Sequence, residues 1–137
     1  MSLLQCEISI HAQPANCVTN ATGELQLPAD WAAAPWGRTF DDAFAAISDL
    51  PQLYTELDGS LAWNSQPGEE RWQLFGCLYD RGMELAYVDL YGSCDAAKLW
   101  QFFDCLRGPA TRLMVQDRGR GVFFDEKRFL DAATHRL

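Results

Sequence analysis

Histidine, closely spaced cysteines and long apolar runs are all scarce in this sequence, and these absences exclude several classes of protein. Only two histidines are present, His11 and His135, one near each end of the chain. No C-x-x-C occurs, although structural zinc sites use close ligand pairs to direct four ligands at one ion. We therefore expect no bound metal, no other cofactor and reduced cysteines throughout. The five cysteines are Cys6, Cys17, Cys77, Cys94 and Cys105.

The sequence also lacks the segments that send proteins into or across a membrane. No apolar run approaches the ~18 residues that span a bilayer. The first residues contain neither the basic region nor the apolar stretch of a secretion signal. We expect a soluble, cytoplasmic protein with no membrane partner.

Basic residues are few, because 11 Lys and Arg stand against 19 Asp and Glu and leave a formal net charge of −8. Phosphate groups repel such a chain, which argues against binding to nucleic acid. The lysines and arginines between residues 112 and 136 are interspersed with acidic residues and form no basic patch. A basic protein is the partner that this charge favours.

Apolar residues, by contrast, are plentiful, and they predict one folded domain. They make up 48% of the 137 residues and include five Trp, four Tyr and eight Phe. A chain of this length buries roughly two-thirds of its unfolded surface when it folds, enough for a core of its own. We therefore expect a single domain over residues 1–137.

The periodicity of the apolar residues predicts an α+β fold. Residues 3–11 alternate between apolar and polar, which is typical of a half-buried strand. Hairpins with turns at Asp58-Gly59 and near Gly82 follow a helix that Thr39 caps, and further helices begin near Asp95 and Asp125. The prediction is a mainly antiparallel sheet of five to seven strands with about three helices on one face. The strand at residues 71–79 has apolar residues on both faces, which predicts cover on both sides.

Several segments resemble those of small uncharacterised bacterial proteins of planctomycete type. They are Leu57-Asp58-Gly59-Ser60-Leu61-Ala62-Trp63, Leu78-Tyr79-Asp80-Arg81-Gly82, Gly92-Ser93-Cys94 and Gly121-Val122-Phe123. The resemblance covers about residues 57–137. It implies a bacterial protein, and it implies no activity, so no functional role passes to these residues.

No residue combination predicts catalysis. Neither G-x-S-x-G nor H-E-x-x-H is present. Cys94 precedes a predicted helix whose N–H groups would lower its pKa, but neither histidine has a sequence relationship to it as a base. Asp89 lies inside a predicted strand and shares a face with Leu85, Tyr87 and Tyr91. It is either solvated there or buried with a partner that shifts its pKa.

The strongest candidates for binding are Trp31 and Trp36, with Asp89 as a third. Both tryptophans lie in the irregular segment 28–37, between and beside two prolines. This segment either packs over the sheet as part of the core or presents an apolar surface that contacts a partner or closes a pocket.

Two functions from different classes agree with these patterns. The first is a non-enzymatic binding or regulatory module, of which a toxin-neutralising, immunity-type protein is one form. The alternative is a small-molecule enzyme or ligand binder with its pocket under residues 28–37. A gene for a toxin beside this one would favour the first function, and a metabolic operon would favour the second.

Overall fold

The protein folds around a seven-stranded antiparallel sheet. The computed structural model describes residues 3–108 and 111–135. The strands are β1 (Leu4–Ala12), β2 (Val18–Thr19), β3 (Leu25–Gln26), β4 (Leu53–Thr55), β5 (Ser60–Asn64), β6 (Gln73–Arg81), β7 (Glu84–Cys94), β8 (Leu113–Asp117) and β9 (Val122–Asp125). Their order in the sheet is β4-β5-β6-β7-β1-β8-β9, so β1 lies near the centre, and β2 and β3 form a separate two-stranded ribbon.

Three helices lie against one face of this sheet. They are α1 (Phe40–Ser48), α2 (Ala96–Leu106) and α3 (Glu126–His135). The side chains of Thr39, Asp95 and Asp125 each accept a hydrogen bond from a backbone N–H in the first turn, which satisfies donors that a helix leaves unpaired. Among the described residues, no helix combines the length and the apolar character that crossing a membrane requires.

The core lies between the helices and the alternate residues of the strands that point toward them. Leu4, Cys6, Ile8 and Ile10 of β1 are buried on this helix face, as period-two alternation requires. Trp63, Leu74 and Val88 from neighbouring strands meet side chains of α1 and α2 in the same cluster. The predicted α+β fold, with an antiparallel sheet and helices on one face, is confirmed.

The described residues cover the opposite face of the sheet at one end only. There β3 lies against β9, and an ion pair joins Glu24 to Arg120 of the turn after β8. Met114 is fully buried beneath this cover, outside the main core. Residues 28–34, which include a short 3-10 helix over Trp31–Ala33, continue from the ribbon toward the end of β1.

The other end of that face, over β4 to β7, carries no helix in the part of the chain that the structure describes. The prediction of cover on both sides of β6 is therefore wrong. Tyr79 is 37% exposed and Tyr91 is 54% exposed, while Phe75 is half-buried by its neighbours within the sheet. Apolar rings remain there because they stack on one another across adjacent strands.

Candidate functional site: the face of the sheet opposite the helices

Strand register brings polar and aromatic side chains from three strands, β4, β6 and β7, onto one surface. The residues of this surface over β4 to β7, here called the open face, are Tyr54, Phe75, Cys77, Tyr79, Tyr87, Asp89 and Tyr91. Asp89 lies opposite Cys77 on β6 and opposite Ser9 on β1. Because the side chains of paired residues point to the same face, these three groups are neighbours.

The carboxylate of Asp89 is held in place from the centre of the sheet. The Ser9 hydroxyl donates a 2.5 Å hydrogen bond to Oδ1 of Asp89. Ser9 is buried and Asp89 is half-buried. Hydrogen bonds to charged acceptors are stronger than those between neutral groups, so the pair fixes the position of the carboxylate on the open face.

A continuous series of aromatic rings runs beside this pair. Tyr79 and Tyr87 stack with ring centroids 4.5 Å apart, and Tyr87 stacks on His11 at 5.5 Å. Trp31 meets His11 and Phe123 at 5.0 Å each. This aromatic cluster (His11, Trp31, Tyr79, Tyr87 and Phe123) joins the covered end of the face to the open end.

His11 is the ring of this cluster whose ordinary pKa, 6.5, lies closest to neutral pH. Burial lowers its pKa to about 4 and outweighs the opposing effect of the Asp89 carboxylate. An imidazole among apolar rings loses the hydration that stabilises its charged form. At neutral pH His11 is therefore an uncharged aromatic ring.

The structure separates the two tryptophans that the sequence analysis grouped together. Trp31 lies half-buried on the face opposite the helices, against His11. Trp36 is 1% exposed in the main core, and its Nε1 donates to the backbone carbonyl of Leu106 at the end of α2. Residues 28–37 thus cross from one face of the sheet to the other. Only Trp31 of the pair retains surface that a partner can reach.

The neighbours of Asp89 differ from those that the sequence predicts. Tyr87 and Tyr91 share its face, but Leu85 points into the main core. The pairing of β6 with β7 shifts register between Tyr79, which pairs with Tyr87, and Asp80, which pairs with Leu85. Such an irregularity adds a residue to one strand and so changes the face on which Leu85 lies.

Cys94 is not an activated thiol. It is fully buried on the helix face, and its pKa is raised by a hydrogen bond with the Cys6 thiol and by burial, which exceed the effect of the helix N–H groups. The Leu99 N–H of the helix does lower the pKa of Cys94, as expected, but the Cys6 thiol and burial outweigh it because the thiol faces the core instead of solvent. All five cysteines are free.

Two cavities lie away from residues 28–37. One, of about 500 Å³, lies between the start of β1 and α3 and is mainly apolar. The other, of about 440 Å³, lies where β5 ends and β6 begins, and most of its lining residues are polar, among them Asn64 and Arg71. Within residues 3–108 and 111–135, no group of three His, Cys, Asp or Glu side chains is placed to hold a metal ion.

Sequence reasoning proposed Asp89 and Trp31 and placed Tyr87 and Tyr91 on the face of Asp89, but it did not predict the rings that stack on them, His11, Phe75 and Tyr79. The signal was present, because Phe75, Cys77 and Tyr79 alternate with core residues, as do Tyr87 and Tyr91. Rings at such spacing also occur on strands that are covered on both sides, so alternation by itself does not distinguish an open face from a covered one.

Comparisons with known proteins identify no relative for this chain. No protein family matches it, and no curated protein and no solved structure matches it either.

Proposed function

We propose that this protein is a non-enzymatic binding module that holds a basic protein partner against the open face of its sheet. The observation that carries the proposal is the row of stacked, partly exposed rings beside the Asp89 carboxylate, on a part of the sheet that no α-helix of the described residues covers. Exposed apolar surface bordered by polar groups is typical of sites for protein partners. Toxin neutralisation, as in immunity proteins, is one form that such a module takes.

The chemistry of the face favours lysine and arginine side chains. A cation placed over a tyrosine or phenylalanine ring is attracted by its electron-rich face, typically by about 0.5–2 kcal/mol. Asp89 supplies a carboxylate beside Tyr87, and Glu7 lies opposite Tyr91. The net charge of −8 adds long-range attraction for a basic partner.

The covered end of the face supplies a stiff border. The guanidinium of Arg81 donates a 3.1 Å hydrogen bond to the carbonyl of Ala32 and ties the 3-10 helix to the end of β6. Trp31 is held by His11 and Phe123 on its inner side. A pre-ordered ring loses little entropy on binding, so Trp31 is suited to act as an anchor at this border.

The alternative, a small molecule under residues 28–37, requires a rearrangement. The ring of Trp31 already lies against His11 and Phe123, where that pocket would be. The two cavities described above are lined by other parts of the chain. The geometry therefore favours the surface site over the pocket.

Affinity capture with variants that each remove one aromatic ring tests the proposal. Wild-type protein, Trp31→Ala, Tyr91→Ala and Trp100→Ala would each be used as bait in lysate of the native cell, with bound proteins identified by mass spectrometry. Trp100 is 40% exposed on α2, and it serves as the control because it lies on the helix side. A basic protein held by wild type and Trp100→Ala, but lost from the other two, supports the proposal. A partner that is lost only from Trp100→Ala contradicts it.

A further inference from the structure

The apolar cavity beside β1 contains an unpaired strand edge. β8 pairs with β1 only between Ile8 and Ala12, because β8 ends at Asp117, opposite Ile8. β7 pairs with β1 from Leu4 to His11. Among the residues that the structure describes, the first half of β1 therefore has a neighbouring strand on one side only.

Hydrogen bonds further along β1 show which backbone groups face this gap. Arg118 N–H donates to the carbonyl of Glu7, and Gln13 N–H donates to the carbonyl of Arg112. The odd-numbered residues of β1 thus direct their backbone N–H and C=O groups toward β8, since the direction of these groups alternates along a strand. Gln5 follows the same rule, and within residues 3–108 and 111–135 its N–H and C=O have no backbone partner.

The walls of the gap are apolar on the helix side. The cavity of about 500 Å³ is lined by side chains of β1, β9 and α3, among them Leu4, Cys6, Phe124, Phe129 and Ala132. This volume falls within the range of about 300–1,000 Å³ that is typical of ligand sites. An unpaired edge beside an apolar cavity is the arrangement by which domains add a peptide strand to a sheet.

We propose that this cavity binds an extended peptide of a partner protein, which pairs with Gln5 as an additional strand in the position that β8 leaves empty. The peptide residue opposite Gln5 makes both backbone hydrogen bonds. Its two neighbours lie opposite Leu4 and Cys6 and direct their side chains into the cavity, so they are apolar.

Charge selects the central residue of the peptide. Both charged residues that line the cavity are acidic, Glu7 and Asp117. The peptide side chain opposite Gln5 lies on the same face as Glu7, which favours lysine or arginine at that peptide position. Arg118 lies opposite Glu7 and is a cation that competes for the same carboxylate. A second copy of this chain is disfavoured, because each copy carries a net charge of −8. The site thus fits a sequence of apolar, basic and apolar residues.

Amide hydrogen exchange with a defined probe tests this site directly. The probe is an acetylated and amidated hexapeptide of alternating valine and lysine, at concentrations up to about 1 mM. We expect the Gln5 amide to exchange rapidly in the free protein and at least about tenfold more slowly with the peptide. The Cys6 amide, which faces β7, should be protected throughout.

Two results of this experiment would overturn the proposal. One is an unchanged Gln5 amide at the highest peptide concentration. The other is a Gln5 amide that is already protected in the free protein. Protection that rises with protein concentration would then identify a second copy as the occupant, and protection independent of it would identify the chain itself.

Variants separate the strand edge from the cavity. Gln5→Pro removes the unpaired donor without removing a hydrogen bond to β7, since this N–H faces away from β7, and it should weaken binding of the hexapeptide at least about tenfold. Ala132→Leu fills part of the cavity and should also weaken binding of the hexapeptide at least about tenfold. Ala97→Leu, at an exposed position of α2, is the matched control for it.

A peptide with glutamate in place of lysine completes the test. It should bind at least about tenfold more weakly than the lysine peptide at low salt. Equal binding of the two peptides, or full binding by both Gln5→Pro and Ala132→Leu, contradicts the site. If Gln5→Pro does not fold, a lysine peptide with a methylated central amide replaces it, and unchanged binding of that peptide is the contrary result. None of these variants alters a residue of the open face.

Discussion

Ser9 and Asp89 lie directly opposite each other on β1 and β7, and the Ser9 hydroxyl donates a hydrogen bond to the Asp89 carboxylate. Ser9→Ala should lower the free energy of unfolding by about 1–3 kcal/mol, because a partly buried carboxylate then loses its donor. Urea denaturation measures this loss.

Ser60→Ala is the control for this change, since Ser60 makes the same type of bond to Asp58 in an exposed turn. It should change stability by no more than about 0.5 kcal/mol. In a double-mutant cycle, Ser9→Ala and Asp89→Ala should show a coupling energy above about 0.5 kcal/mol. Strictly additive effects would show that the bond contributes nothing.

The buried imidazole of His11 predicts a loss of stability in mild acid. Its pKa is lowered from 6.5 to about 4 in the folded protein, so the unfolded chain binds more protons between these values. The free energy of unfolding should therefore fall by about 2 kcal/mol from pH 7 to pH 5 through this residue.

His11→Phe is the comparison that isolates this contribution. It keeps an aromatic ring against Tyr87 and Trp31 but cannot bind a proton. Between pH 7 and pH 5, the free energy of unfolding of His11→Phe should fall by about 2 kcal/mol less than that of the wild type. Parallel pH profiles for the two proteins would refute the assignment.

The two tryptophans of residues 28–37 should respond differently to truncation. Trp36→Ala removes a buried ring and its hydrogen bond to Leu106, and should cost about 3–5 kcal/mol. Trp31→Ala leaves the main core intact, so its cost should be smaller, about 1–2 kcal/mol. Thermal unfolding of both variants compares them, and similar melting temperatures would contradict the assignment of the rings to different faces.

Burial divides the five cysteines into two classes of reactivity. Cys6 and Cys94 are buried in the main core, and the other three are half-buried. A thiol reagent should therefore modify at most three cysteines of the native protein rapidly and all five in denaturant. Fewer than five thiols in denaturant without reductant would mean that some are oxidised, and rapid reaction of all five in the native protein would place Cys6 or Cys94 at the surface.

Local patterns predicted the elements well because their causes are local. The alternation of residues 3–11 predicted β1, and capping by Thr39, Asp95 and Asp125 predicted the three helix starts. Helix caps depend on side chains within a few residues of each other. They need no information about the rest of the fold.

The candidate site was only partly predictable. Asp89 was identified because a carboxylate within an apolar strand is unusual, and its hydrogen bond depends on Ser9, 80 positions away in sequence. The register irregularity after Tyr79 moved Leu85 to the core. No local pattern in residues 84–91 indicates this change, because it arises from the pairing of β6 with β7.

By itself the sequence determined which residues share a face within each regular strand, where the helices begin, and the acidic charge that favours a basic partner. Only the tertiary structure decided that Trp31 and Trp36 lie on opposite faces. It also decided that, within the described part of the chain, no helix covers the rings of β6 and β7 and β8 leaves the edge at Gln5 unpaired. The physical reason is that periodicity and capping are properties of neighbouring residues. Cover and strand pairing depend instead on where distant segments pack, and burial of the whole apolar surface decides that packing.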